Sequence, residues 1–132
     1  MDGSSPAIHG SAPQHVFAYG SLVDPECLDQ VLGHGHAGER LAARLVGYER
    51  ITTAAYPFPY IVAAGGRSVD GVLIMDLTAY DIQALDRYEE VDKGIYERRP
   101  VEVEVWGCGP RTMHLQAQTY VAGPALVAST SG

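Results

Sequence analysis

The run Val101-Glu102-Val103-Glu104-Val105-Trp106 sets a β-branched valine at every second position, with polar or amphipathic side chains between. That period fits an extended strand with one buried face, because successive side chains of a strand point to opposite sides. It returns beyond Gly107-Cys108-Gly109-Pro110, where Met113, Leu115, Ala117 and Thr119 share one face. Two alternating runs joined by a Gly/Pro turn predict a pair of sheet strands, whose apolar face needs further layers to cover it.

The rest of the chain supplies those layers. His15-Val16-Phe17-Ala18-Tyr19 reads as a strand stopped by Gly20. Asp24-Pro25 opens a helix, Asp capping free N–H groups and Pro fitting the first helical position, and Gly33 closes it. Leu41 to Thr52 is strand-like, and Tyr60–Ala63 and Val69–Leu77 read as two strands joined by a hairpin turn at Ala64-Gly65-Gly66-Arg67. Thr78-Ala79-Tyr80-Asp81 resembles a capping box and starts a helix carrying Ile82, Leu85 and Tyr88. The predicted order is β-α-β-β-β-α-β-β. This is an α+β chain: a mixed or antiparallel β-sheet that can close into a small barrel, flanked by short helices. Residues 1–14 and 123–132, rich in Gly, Ser, Pro and Ala and without period, are expected to be a disordered N-terminal tail and a flexible C-terminal tail around one domain over 15–122.

Charge and composition narrow the partners. The 132 residues carry 16 acidic and 9 basic side chains, a formal charge of −7, which is the wrong footprint for phosphate backbones. No nucleic-acid partner is expected. The uncharged apolar stretch Ile51–Gly66 is broken by Pro57 and Pro59 and too short to span a bilayer, and the first fifteen residues hold no apolar signal segment. Two distant cysteines, Cys27 and Cys108, make neither a disulfide framework nor a CxxC site. A cytoplasmic protein is the expectation.

Three features carry candidate chemistry. Tyr19-Gly20-Ser21-Leu22 is a strand-to-helix turn whose N–H groups can cradle an anion or a polarised carbonyl, or can serve simply as a turn. It is not a G-x-S-x-G elbow, so Ser21 has no nucleophile's setting. Asp86, Glu89, Glu90 and Asp92 crowd the C-terminal end of the second helix, where the negative helix pole should raise at least one carboxyl pKa and suit it to general base work. The same run also reads as a solvated acidic helix end offset by Arg87, Arg98 and Arg99. Tyr56-Pro57-Phe58-Pro59-Tyr60 is a stiff aromatic loop that either walls a pocket or plugs the sheet. His34 and His36, in a Gly loop without further ligands, are expected to be exposed rather than metal-binding.

Together the pieces resemble the gamma-glutamylcyclotransferase-like superfamily, also called the avirulence-induced-gene-like family. The match runs through Val16-Phe17-Ala18-Tyr19-Gly20-Ser21-Leu22, the strand Gly71-Val72-Leu73-Ile74, Leu85-Asp86-Arg87-Tyr88-Glu89, and Tyr96-Glu97-Arg98-Arg99-Pro100-Val101-Glu102-Val103. Its order and spacing cover roughly residues 15–122. The resemblance implies a small β-barrel fold and an enzyme converting a γ-glutamyl compound, such as glutathione or a γ-glutamylamine, to 5-oxoproline and a free amine or amino acid. It implies Glu89 as the acid/base, Tyr19, Gly20, Ser21 and Leu22 as the substrate turn, and Tyr96 and Tyr120 as further substrate-binding residues. Glu90 stands where many members of the family carry Gly. Intramolecular attack by the substrate's own amine needs no metal, nucleotide or covalent intermediate, so no cofactor is expected. The alternative is a non-catalytic module on the same fold that holds a small amino-acid-like ligand; a Glu at the L-D-x-x-E position favours the enzyme.

Overall fold

In the computed structural model, residues 13–54, 56–106 and 112–131 are described. The N-terminal stretch 1–12, Cys108 and its Gly/Pro turn therefore lie outside the described residues. The elements are β1 (Gln14–Ala18), α1 (Pro25–Leu32), β2 (Arg40–Thr53), β3 (Tyr56–Leu77), α2 (Ala79–Tyr88), β4 (Tyr96–Val105), β5 (Met113–Ala122) and α3 (Pro124–Ser131), with 3-10 turns at Ser21–Val23 and Val91–Lys93. The sheet order is β1-β3-β2-β4-β5. Neighbours are antiparallel except at the seam, where β5 meets β1 in parallel through the pair Val16–Gln118 and curls the sheet into a closed barrel. Two side-chain bonds reinforce that seam, Thr119 Oγ1 donating to Phe17 O at 2.9 Å and the Tyr19 hydroxyl donating to Tyr120 O at 2.6 Å.

Alternation along β1 explains how the core divides. Val16 and Ala18 face the helices, packing with Leu28, Ile82, Leu85 and Leu126. Phe17 and Tyr19 face the barrel interior with Leu45, Ile61, Leu73 and Val103. A strand buried on both faces reads as a continuous apolar run, which is what residues 16–19 are. Burying each large side chain contributes about 1.5–3 kcal/mol. Val101, Val103 and Val105 are buried as their period predicts, while Met113 at the far end of β5 is exposed.

The central strand departs from the sequence reading. Tyr60–Ala63 and Val69–Leu77 are parts of one strand, β3, and the expected hairpin at Ala64–Arg67 does not exist. Both parts pair with β2, through Tyr48–Ala63 and Val46–Ser68. Between those pairs β2 has Gly47 and β3 has Ala64-Gly65-Gly66-Arg67, so the glycines build a bulge that bends the strand instead of reversing it. Gly47 (φ 90°) and Gly66 (φ 83°) take left-handed conformations there. The aromatic segment 56–60 is likewise the start of β3 rather than a loop. Farther along, a Cβ on Gly71 would sit 2.2 Å from Ala18 O and 2.8 Å from Phe17 Cζ. Gly71→Ala is therefore expected to lower stability by about 1–3 kcal/mol, read as a shifted urea midpoint with an unchanged slope.

Helix boundaries follow their local chemistry. Asp24 accepts from Glu26 N–H at 3.1 Å, and α1 ends at left-handed Gly33. At α2 the capping box is complete, Asp81 N–H donating to Thr78 Oγ1 at 3.1 Å and Thr78 N–H to Asp81 Oδ2 at 3.0 Å. The two histidines do more than face solvent. His34 Nε2 lies 2.7 Å from Asp81 Oδ1, tying the loop after α1 to the cap of α2, and part-buried His36 places Nε2 2.6 Å from Met75 O. Residues 124–131 form α3 in place of the expected tail. Ala125 N–H donates to Gly94 O at 2.9 Å, and Leu126 is wholly buried beside Tyr96 and Tyr120. No helix among the described residues is long and apolar enough to cross a membrane.

Candidate active site

Chain geometry brings five separate segments to one cavity of about 160 Å³. After β1 the backbone turns at Gly20 into the short 3-10 helix, whose bonds run from Val23 N–H to Gly20 O and from Asp24 N–H to Ser21 O. The N–H groups of Ser21 and Leu22 begin that turn, where a helical segment has no preceding carbonyl to receive them. A Cβ on Gly20 would meet only Pro59 Cγ, at 3.6 Å, so the protein itself leaves room at this position on the cavity wall.

The opposite wall comes from the end of α2. Leu85 is wholly buried, and Glu89, four residues on, lies over the same helical face and is carried inward with it. Its N–H donates to Leu85 O at 2.9 Å, making it the last residue held by the helix. Burial pushes its carboxyl up from 4.5 to about 7. The cause is desolvation, where the sequence suggested the helix pole and neighbouring acids. Glu90 also borders the cavity, but its carboxylate turns to Lys93 Nζ at 3.1 Å. Glu90 adopts the left-handed conformation (φ 54°, ψ 44°), which a glycine would take without a Cβ penalty. Glu90→Gly is expected to stabilise the fold by roughly 0.5–1 kcal/mol in thermal melts.

Tyrosines complete the enclosure. Tyr19, Tyr88, Tyr96 and Tyr120 line the cavity with Phe58 and Pro59 of β3. Tyr19's hydroxyl is engaged in the barrel wall, donating to Tyr120 O at 2.6 Å. Burial first, then the fields of Tyr96 and Glu89, hold it protonated far above the ordinary phenol range. The Tyr96 hydroxyl donates to Pro59 O at 2.7 Å and so fixes the start of β3 over the site. Ser21 Oγ is 2.7 Å from the Tyr88 hydroxyl, which links the Gly20 turn to α2. Tyr120 donates to Asp86 Oδ1 at 2.7 Å, and Asp86 pairs with Arg98.

All seven residues marked in the sequence (Tyr19, Gly20, Ser21, Leu22, Glu89, Tyr96 and Tyr120) border this one cavity. Sequence reasoning missed Tyr88 as a lining residue and the Asp86–Arg98 pair behind Tyr120. The partners of Asp86 lie 12 and 34 positions away, and no local spacing signals such contacts. Among the described residues no group of three His, Cys, Asp or Glu side chains is placed to hold a metal ion.

The curled five-stranded sheet carries one cavity that Glu89 and the Gly20 turn both line. The chain belongs to the family described as gamma-glutamyl cyclotransferase, AIG2-like, whose model matches residues 16–131. It is similar to AIG2-like protein C of Arabidopsis thaliana, 30% identical over 114 residues covering 86% of this chain and 62% of the relative. It is similar also to protein AIG2 C of the same organism, 30% identical over 103 residues, 78% of this chain and 56% of the relative. The chain thus spans about three fifths of the length of these curated relatives. Among solved structures, a protein of Arabidopsis thaliana superposes with a TM-score of 0.70 at 26% identity, covering 90% of this chain and 64% of that one. A gamma-glutamyl cyclotransferase shares the fold, with a TM-score of 0.68 at 19% identity, over 84% of this chain and 67% of its own.

Proposed function

We propose that this protein converts a γ-glutamyl amine or amino acid to 5-oxoproline and the free amine, with Glu89 as the proton carrier. The observation that carries this reading is the placement of a carboxyl pushed up to about 7 in the same cavity as the Gly20 turn. The substrate's α-ammonium gives a proton to the Glu89 carboxylate, and the freed nitrogen lone pair attacks the γ-carbonyl. The carbonyl π pair moves to oxygen, where the N–H groups of Ser21 and Leu22 receive the developing charge. Attack leaves the ring nitrogen with two hydrogens and a positive charge. Collapse reforms the carbonyl and breaks the bond to the leaving nitrogen as Glu89 returns its proton to that nitrogen, and the regenerated carboxylate then takes the second proton from the ring nitrogen and passes it to the released amine. Both protons lost by the α-nitrogen end on that amine, which departs as its ammonium, so protons and electrons balance. Ring closure within one bound molecule supplies much of the rate, since well-oriented intramolecular attacks reach effective molarities of about 10⁵–10⁸ M.

Incubation with a panel of γ-glutamyl amines, γ-glutamyl amino acids and glutathione, followed by detection of 5-oxoproline, tests the reading directly; no 5-oxoproline from any of them would overturn it. The pH profile gives a second check. The carboxylate form starts the reaction, so kcat/KM is expected to rise with pH and level off through an apparent pKa near the value of about 7 held by Glu89. An acid limb near pH 4.5, the ordinary Glu value, would mean that a solvated carboxyl is responsible.

A further inference from the structure

Behind the cavity lies a polar chain that none of these steps uses. Arg98 grips both oxygens of Asp86, Nε to Oδ1 at 2.9 Å and Nη2 to Oδ2 at 3.1 Å. It also donates to Gln118 Oε1, and Gln118 donates to Gln14 of β1, so the pair is braced across the barrel seam. The Asp86 carboxylate can only accept, and what it accepts on the cavity side is the hydroxyl proton of Tyr120, at 2.7 Å. A hydroxyl has one proton. With that proton assigned to Asp86, the Tyr120 oxygen has only lone pairs to offer a ligand.

The geometry points to Asp86 and Arg98 as positioning residues that fix Tyr120 as a hydrogen-bond acceptor and thereby make the cavity select the α-ammonium of a γ-glutamyl group. This rests on the function proposed above and names the part of the substrate that Tyr120 reads. An ammonium carries three donors and no acceptor, so it suits a site that presents the Tyr120 lone pairs together with the Glu89 carboxylate. A carbonyl or carboxylate at the same place would set lone pair against lone pair. Burial first, and then the bond to Asp86, hold the Tyr120 phenol far above its ordinary range, so its polarity stays fixed at any pH the enzyme meets. A free Ser or Tyr hydroxyl rotates to suit either partner; Asp86 removes that freedom.

The test uses two probes that cannot cyclise. L-Methionine sulfone carries the α-ammonium and α-carboxylate of a γ-glutamyl group, with a sulfone where the reacting carbonyl would be. 4-(Methylsulfonyl)butanoate is its counterpart without the amine. Calorimetry on the whole chain is expected to show wild type preferring the sulfone amino acid by tenfold or more. Tyr120→Phe and Asp86→Ala should each reduce that preference by about tenfold, and the double variant should lose no more than either single one. Asp86→Asn, whose amide oxygen still accepts, should retain most of it. Binding of the des-amino probe should not change in any of them. Because Asp86→Ala leaves Arg98 unpaired, thermal melts accompany each variant, and Tyr120→Phe with Asp86→Asn keep the test decisive if it fails to fold. A full preference in Tyr120→Phe, or an equal loss for both probes, would overturn the selection role and leave the proposed reaction standing. Failure of wild type to bind either probe would overturn both.

Discussion

Glu89→Gln is expected to lower kcat by about two to four orders of magnitude, the usual contribution of a positioned acid/base, with little change in KM. Glutamine keeps the shape and part of the hydrogen bonding but cannot exchange a proton. The same variant should be the more stable protein at alkaline pH. In the folded state the carboxyl holds its proton up to about 7, whereas in the unfolded chain it releases it near 4.5. The unfolded state therefore binds fewer protons between those values, and wild-type stability falls as pH rises across that window. At about 1.4 kcal/mol per pH unit the loss approaches roughly 3 kcal/mol above pH 7 and vanishes below pH 4. Urea unfolding of both proteins at pH 4 and pH 8 measures it: near-equal at pH 4, with Glu89→Gln ahead at pH 8. Equal stability at pH 8 would mean that the carboxyl is not desolvated. Near-normal turnover in Glu89→Gln together with loss in Glu90→Gln would move the acid/base role to the neighbouring residue.

The second large effect concerns the substrate. A γ-glutamyl compound acetylated on its α-nitrogen should be wholly inert, although its γ-amide is unchanged. Amide resonance withdraws the lone pair that closes the ring. A hydrolase would still cleave such a compound, because its nucleophile is water or a side chain, and it would release glutamate from the unmodified substrate. Mass spectrometry of the products separates the two. Free glutamate as the main product, or any cleavage of the acetylated compound, would exclude cyclisation.

What was legible in the sequence was what local chemistry dictates. Valine alternation placed β4, Asp24-Pro25 and Gly33 bounded α1, and Thr78 with Asp81 capped α2. The Gly65-Gly66 misreading shows the limit: glycine permits both a reversal and a bulge, and pairing with β2 on both sides of Gly47 decides between them. α3 was missed because Pro124-Ala125-Leu126-Val127 is short and without a polar face, and its stability comes from burying Leu126 against distant residues. For the cavity, residue identities were readable through the family motif. The sequence suggested a raised carboxyl from the helix end and its neighbouring acids, whereas the structure raises Glu89 by desolvation, in a cavity it shares with Tyr19, Tyr96 and Tyr120 from distant parts of the chain.

Those distances along the chain set an order of events during synthesis. The Gly20 turn is synthesised before β5, yet the Tyr19 hydroxyl finds its acceptor on a residue 101 positions later. A nascent chain ending at Val105 would hold the turn, the bulged hairpin of β2 and β3, α2 and Glu89, but neither β5 nor the seam. Glu89 would then lack the Tyr120 side of its enclosure. The cavity is thus complete only once β5 lies between β4 and β1, with Leu126 of α3 buried beside Tyr96 and Tyr120.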